Sequence, residues 1–307
     1  MTIQSNRNMQ QQYNPKNEHI LISINGKLLP RSEAKISVFD SAVQGGDAVW
    51  EGLRVYNGRI FSVDDHLNRL HESAHALLFS GVPSKEEIKR DLFETLRANN
   101  MRDGVHIRLT LTRGEKITSG MDPRLNQKGC TLIVLAEWKK PVYDQEIALV
   151  TSSVRRNSPL SIDSKIHHNN LINNILAKME ANNAGADAAL MLDQYGFVSE
   201  TNDCNIFMTK SQMLFTPHTD ACLPGITRRK VIEIAQGLKI PVHLKNLSVA
   251  EFYNADEVFT TGTMSEMVRV KMIDGRRIEN KSGSSVLEAI QSAFRARTET
   301  EGESLPF

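Results

Sequence analysis

Residues 130–136 form a near-continuous apolar run, and a run of that length with β-branched residues in it reads as a strand in the middle of a sheet. Just upstream, residues 106–112 alternate Ile107, Leu109 and Leu111 with Arg108, Thr110 and Thr112, the period of a half-buried strand. Residues 64–79 have helical spacing instead, with Leu67, Leu70, Ala74, Leu77 and Leu78 on one face. Ser84 and Glu87 form a capping box that opens a second helix carrying Ile88, Leu92 and Leu96. A first hairpin is expected at residues 19–30 around Asn25-Gly26, because that pair favours the tight turn which matches strand twist.

The second half repeats the mixture. Strands are expected at 147–153, 188–193, 205–209, 213–216, 241–244 and 257–261, with helices at 170–183, 227–238 and from about 284. A polar connector containing Pro141 separates the halves. With 307 residues, the chain divides best into a flexible tail (1–18), a small N-terminal α/β domain (19–140) and a larger C-terminal domain (141–307).

With 37 basic and 36 acidic residues, the formal charge of +1 supplies no field that would gather nucleic acid or anionic lipid. Cys130, Cys204 and Cys222 are odd in number and far apart, which fits a reducing compartment better than a disulfide framework. No stretch has the length of a membrane span, and the Gln- and Asn-rich start lacks the apolar centre of a signal peptide. A cytoplasmic protein is the expectation.

Lys165 and Glu200 are the candidates for chemistry. A lysine becomes a nucleophile when burial or nearby cations depress its pKa. A carboxylate at a strand end, as in Ser199-Glu200-Thr201-Asn202, can hold a proton on a ring nitrogen, with Asn202 and Asn205 bracing the loop. Two turns, Leu223-Pro224-Gly225-Ile226-Thr227-Arg228 and Thr261-Gly262-Thr263, offer backbone N–H groups to a phosphate, the first of them opening a helix. Thr227 as a simple N-cap is the plainer reading of the first turn, and Arg69 can add a charge-assisted bond. An aldehyde, a pyridine ring and a phosphate arm are the three parts of pyridoxal 5′-phosphate. His167 and His168 are adjacent, diverge on a strand and have no third ligand spaced to help, so no metal is expected. Met208, Met213 and Met264 read as packing residues, with Met264 close to the pocket.

Taken in order, these motifs resemble the class IV (fold type IV) pyridoxal phosphate aminotransferases, a group with branched-chain, D-amino acid and aminodeoxychorismate lyase members. The resemblance runs from about residue 20 to 295 and includes Gly45-Gly46-Asp47-Ala48-Val49-Trp50-Glu51-Gly52 and His66-Leu67-Asn68-Arg69-Leu70. It implies a D-amino acid aminotransferase-like fold with the cofactor between two α/β domains, and a homodimer whose partner subunit completes the pocket. It implies Lys165 as Schiff base and proton shuttle, Glu200 on the pyridine nitrogen, and Arg69, Asn205, Gly225, Ile226, Thr227, Gly262 and Thr263 around the cofactor. Leu223 would pack on the ring. Trp50, Arg108, Arg113, Arg124, Thr263 and Met264 are the implied substrate-side residues.

Within the group the motifs divide. Asn170 and Gly45 stand where branched-chain enzymes usually carry tyrosines, and Thr112-Arg113-Gly114 is similar to the D-amino acid and lyase branch. The loop after it has Arg124-Leu125-Asn126 and lacks the histidine of the D-amino acid pattern, whereas Arg108 aligns with the arginine that takes a dicarboxylate in branched-chain enzymes. The reading preferred on this balance is transamination of apolar L-amino acids with 2-oxoglutarate. D-amino acid transfer comes second, aminodeoxychorismate lyase third, and an inactive cofactor-binding scaffold last.

Overall fold

The computed structural model describes residues 11–143, 146–280 and 283–307. The first half contains β1 (Leu21–Ile24), β2 (Lys27–Pro30), α1 (Ser41–Gly45), β3 (Ala48–Tyr56), β4 (Arg59–Ile60), α2 (Val63–Ala76), α3 (Lys85–Ala98), β5 (Val105–Thr112) and β6 (Thr131–Trp138). The second contains β7 (Ile147–Thr151), α4 (Ile172–Ala184), β8 (Ala188–Leu192), β9 (Val198–Thr201), β10 (Asn205–Lys210), β11 (Met213–Thr216) and α5 (Ile226–Gly237). It continues through β12 (Val242–Leu244), α6 (Val249–Tyr253), β13 (Glu257–Gly262), β14 (Glu266–Ile273), β15 (Arg276–Arg277), α7 (Val286–Thr300) and β16 (Glu303–Ser304).

Two sheets result. The first has the order β16-β4-β3-β5-β6-β1-β2, with every neighbouring pair antiparallel. As the apolar run implied, β6 lies inside it, between β5 and β1. The expected hairpin forms through Asn25 and Gly26, both with positive φ (51° and 76°). Helices α2 and α3 set Leu67, Leu70, Ala74, Ile88, Leu92 and Leu96 into one core with Leu53, Val55, Ile107, Leu109 and Val134. The capping box at Ser84 and Glu87 is made in full. Leu78 departs from expectation. Helix α2 stops at Ala76, and Leu78, with φ 54°, turns out to solvent.

The second sheet runs β12-β11-β10-β13-β14-β7-β8-β9, with β15 added beside β14. Its core gathers Leu190, Ile206, Phe252, Val258 and Ile273 on one side. On the other it gathers Phe207, Phe259, Val231, Ile290 and Phe294 from the strands, α5 and α7. The C-terminal strand β16 returns to pair with β4 of the first sheet.

Two expectations need correction. The flexible tail reaches less far than residue 18. Residues 15–17 form a 3₁₀ turn, and buried Asn17 donates to the Trp138 carbonyl and accepts from its N–H, while Asn14 donates to the same carbonyl. Residues 1–10 of that tail lie outside the described residues. The second correction concerns β5, which is covered on both faces. Its polar face, with His106, Arg108 and Thr110, turns toward Trp50 and the segment at 166–170. That segment docks on β3: Trp50 N–H donates to the His167 carbonyl at 2.9 Å and Asn169 N–H to the Ala48 carbonyl at 2.9 Å. No helix among the described residues is long and apolar enough to cross a membrane.

Candidate active site

Glu200 lies on β9, a strand buried along its whole length. A tight turn joins β9 to β10. Thr201 N–H donates to the Cys204 carbonyl and Cys204 N–H to Thr201 Oγ1, while Asn202 Oδ1 accepts from Ala189 N–H across the sheet. The carboxylate is held at both oxygens. Arg156 Nε donates to Oε1 at 2.6 Å, and Asn205 Nδ2 donates to Oε2 at 3.0 Å and to the Leu223 carbonyl at 2.9 Å. Burial pushes the Glu200 pKa up, and the Arg156 guanidinium opposes that shift. Arg156 Nη1 is itself buried without a partner among the described residues.

The opposite end of the same cavity is a helix N-terminus. Gly225 is the N-cap of α5 and makes no side-chain cap bond, and the first helical bond is Arg229 N–H to the Gly225 carbonyl at 2.9 Å. The N–H groups of Ile226 and Thr227 therefore have no acceptor within the helix. Thr227 lies inside the first turn, so the plainer N-cap reading does not hold. Gly225 is required by packing: a Cβ there would stand 2.0 Å from Asn205 Oδ1. Across from α5, the end of β13 and the turn after it carry Gly262 and Thr263, and Thr261 Oγ1 and Ser265 Oγ are buried with no partner among the described residues. Arg69 completes this end. Its Nη1 donates to the Pro224 carbonyl at 3.0 Å, and Nε and Nη2 donate to Glu51 at 2.8 and 2.7 Å.

The cavity between these ends has a volume of about 510 Å³, within the usual range for a small-molecule site. Leu223, Ile226, Met264 and Trp50 line it, together with Glu200, Asn205, Thr227, Gly262 and Thr263. Arg108 lines it too, with its guanidinium carbon 3.5 Å from the centre of the Trp50 ring and Nη2 donating to Asn169 Oδ1 at 3.1 Å. Burial lowers the Arg108 pKa to about 10, so it stays cationic at neutral pH. Among the described residues no carboxylate lies within ion-pair distance of it, whereas Arg69 is committed to Glu51.

Not every expected residue arrives here. Lys165 lies in a turn with its side chain 44% exposed and Nζ 3.5 Å from Asp163 Oδ1. It borders an adjoining cavity of about 690 Å³ that shares Arg69, Gly225 and Ile226 with the first. Arg113 and Arg124, expected on the substrate side, lie away from this cavity in the chain. Arg113 is held by Asp47 and by the carbonyls of Leu77 and Leu78, and Arg124 is exposed and paired with Asp122. Neither lines the cavity.

Three residues were given no role at this site from the sequence. Glu51 is fully buried and accepts from His66 at 2.6 Å, from Arg69, and from His167 Nδ1 at 3.1 Å. Burial alone would raise its pKa, and the Arg69 charge, with the hydrogen bonds from Arg69 and His167, overcomes this to hold it well below the carboxylate range. It lies on β3 at the parity of Val49, Leu53 and Val55, so a carboxylate on the core face of a strand was the available signal. His167 lines the cavity, and Arg156 clamps Glu200.

Residues 48–273 match the model of the amino-transferase class IV family. The chain belongs to the class IV aminotransferases. A branched-chain-amino-acid aminotransferase-like protein of Arabidopsis thaliana is 54% identical over 294 residues, 95% of this chain. The chain spans about half the length of that relative, 53%. A putative branched-chain-amino-acid aminotransferase of Methanocaldococcus jannaschii is 40% identical over 89% of this chain and 95% of its own. Among solved structures, a branched-chain amino acid aminotransferase of T.th., complexed with N-(5′-phosphopyridoxyl)-L-glutamate, superimposes with a TM-score of 0.85. It is 33% identical and covers 92% of this chain and 95% of its own. The mixed α/β fold of this class IV aminotransferase is thus the one that solved branched-chain aminotransferases share.

Proposed function

We propose that this class IV aminotransferase binds pyridoxal 5′-phosphate and moves an amino group between an apolar L-amino acid of the branched-chain class and 2-oxoglutarate. The observation that carries the acceptor is Arg108, a cation in the cavity with no carboxylate within ion-pair distance among the described residues. An acceptor with a second carboxylate supplies that partner.

The cavity fits the cofactor. Glu200 is a buried carboxylate oriented at both oxygens and can hold a proton at a pyridine nitrogen. The open N–H groups of Ile226 and Thr227 and the unpartnered hydroxyl of Thr261 suit a phosphate, and Leu223 suits a ring face. When bound, pyridoxal phosphate supplies an aldehyde for the amino group and a ring that draws electrons from the α-carbon. Lys165 is the residue that takes the α-proton at Nζ and returns it, which requires its release from Asp163. Asn205 keeps Glu200 facing the cavity, and Arg69, fixed by Glu51, borders both cavities.

Residues 19–140 and 141–307 act in this reading as two domains that wall the cofactor. We read the enzyme as a homodimer. Its support is the exposed apolar stripe Ile172, Ile175, Leu176 and Met179 on α4, spaced for one helix face.

The test is a half-reaction without acceptor. The protein loaded with pyridoxal phosphate is mixed with single L- and D-amino acids, and the visible cofactor band is followed. Its loss with L-leucine or L-isoleucine and its return with 2-oxoglutarate is the expected result. Response to D-alanine or D-glutamate alone overturns the substrate reading, and a Lys165→Ala protein that still turns over overturns the lysine.

A further inference from the structure

We propose that His167 is a positioning residue for the carboxylate-binding arginine, acting through the Trp50 indole that its imidazole and the Arg108 guanidinium share. The proposal rests on the reading of Arg108 as the group that meets the acceptor's second carboxylate.

Arg108 has little else to fix it. One hydrogen bond runs to Asn169 Oδ1 at 3.1 Å, and the guanidinium carbon lies over the indole, 3.5 Å from the ring centre. A guanidinium binds a carboxylate well when its fork is oriented beforehand, so whatever holds the indole also governs that binding. The indole is held at its rim by Nε1–H to the His168 carbonyl, 3.2 Å, and on its ring by the His167 imidazole, centroid to centroid 4.1 Å. His167 is anchored through both its ring and its backbone. Its Nδ1 lies 3.1 Å from Glu51 Oε1, its backbone N–H donates to Ser73 Oγ at 3.1 Å, and its carbonyl accepts from Trp50 N–H.

Glu51 therefore serves two arms of the site: it fixes Arg69 beside the helix N-terminus, and through His167 and Trp50 it fixes Arg108. The imidazole also suits this place electrostatically. Burial, with Arg69 and Arg108 nearby, lowers its pKa to about 4 against the pull of Glu51, so the ring is neutral and does not repel the guanidinium.

The test compares a dicarboxylate with an apolar monocarboxylate. Glutarate and 4-methylvalerate are titrated into the intact protein and binding is followed by isothermal titration calorimetry, alongside KM and kcat for 2-oxoglutarate. His167→Ala is expected to shift the ratio of glutarate to 4-methylvalerate affinity at least tenfold against glutarate, and to raise KM for 2-oxoglutarate more than it lowers kcat. His167→Phe, which restores a ring without the Glu51 bond, recovers most of the ratio, and His167→Gln, which keeps a donor without a ring, does not. Equal weakening of both ligands, or rescue by Gln and not by Phe, overturns the proposal. Should His167→Ala fail to fold, Trp50→Leu carries the same test, with selective loss of glutarate supporting the proposal and equal loss overturning it. A wild-type protein that binds no glutarate removes the Arg108 reading itself, an outcome distinct from an unchanged ratio in the variants.

Discussion

Glu51 accepts from His66, Arg69 and His167 at once, with His106 beside Gly52 on the same pair of strands. The histidines around it carry a pH signature. Burial lowers the pKa of His106 to about 3 and of His167 to about 4. An unfolded histidine takes its proton near pH 6.5, so below that pH the unfolded chain binds protons that the folded one refuses. Stability is then full above about pH 6.5 and falls as pH drops toward 4, by up to roughly 1.4 kcal/mol per pH unit for each group. Urea unfolding between pH 7.5 and 5 measures it. His167→Phe is expected to flatten the slope, and a wild-type stability that does not change over this range contradicts the assignment. None of this was visible in the sequence, where a histidine next to a histidine says only that the two diverge. The partners of Glu51 came from residues 15 and 116 positions away along the chain.

Helix α5 and the β9–β10 turn fit together through one glycine. A methyl group at Gly225 would meet Asn205 Oδ1 at 2.0 Å, and Asn205 is the residue that joins Glu200 to the Leu223 carbonyl. Gly225→Ala is expected to displace that amide and weaken pyridoxal phosphate binding at least tenfold, with a stability loss of roughly 1–3 kcal/mol from overpacking. Titrating the cofactor against its visible absorbance checks the first effect and chemical denaturation the second; unchanged cofactor affinity would show that the amide tolerates displacement. The elements themselves were largely legible. Ser84 with Glu87, Gly185 at the left-handed end of α4 and Asn25-Gly26 are local signals, satisfied by neighbours a few residues away. Strand β3 was not, because Glu51, Gly52 and Arg54 interrupt its apolar pattern. Those residues are stabilised by α2, β5 and the 166–170 segment rather than by sequence neighbours.

At the scale of the whole molecule, α4 presents Ile172, Ile175, Leu176 and Met179 to solvent in a single chain. A second copy covering that stripe would remove it from water, and a charge placed there would oppose the contact. Ile175→Asp is expected to halve the mass measured by sedimentation equilibrium while leaving the far-ultraviolet circular dichroism unchanged. A wild-type protein that sediments as a monomer would remove the dimer reading. Several motifs in order, from Trp50 to Thr263, were enough for the chain alone to determine its family and most of its alternating strands and helices, and to suggest which residues would face a phosphate and a ring nitrogen. Such motifs report local backbone geometry and side-chain chemistry, both of which are written within short stretches. Only the tertiary structure decided that Arg108 enters the cavity with no carboxylate among the described residues within ion-pair distance while Arg113 and Arg124 are paired elsewhere, and that Lys165 rests beside Asp163. Pairing of charges depends on which distant strands and turns the two sheets bring within a few ångströms, and strand parity or sequence spacing cannot rank those partners.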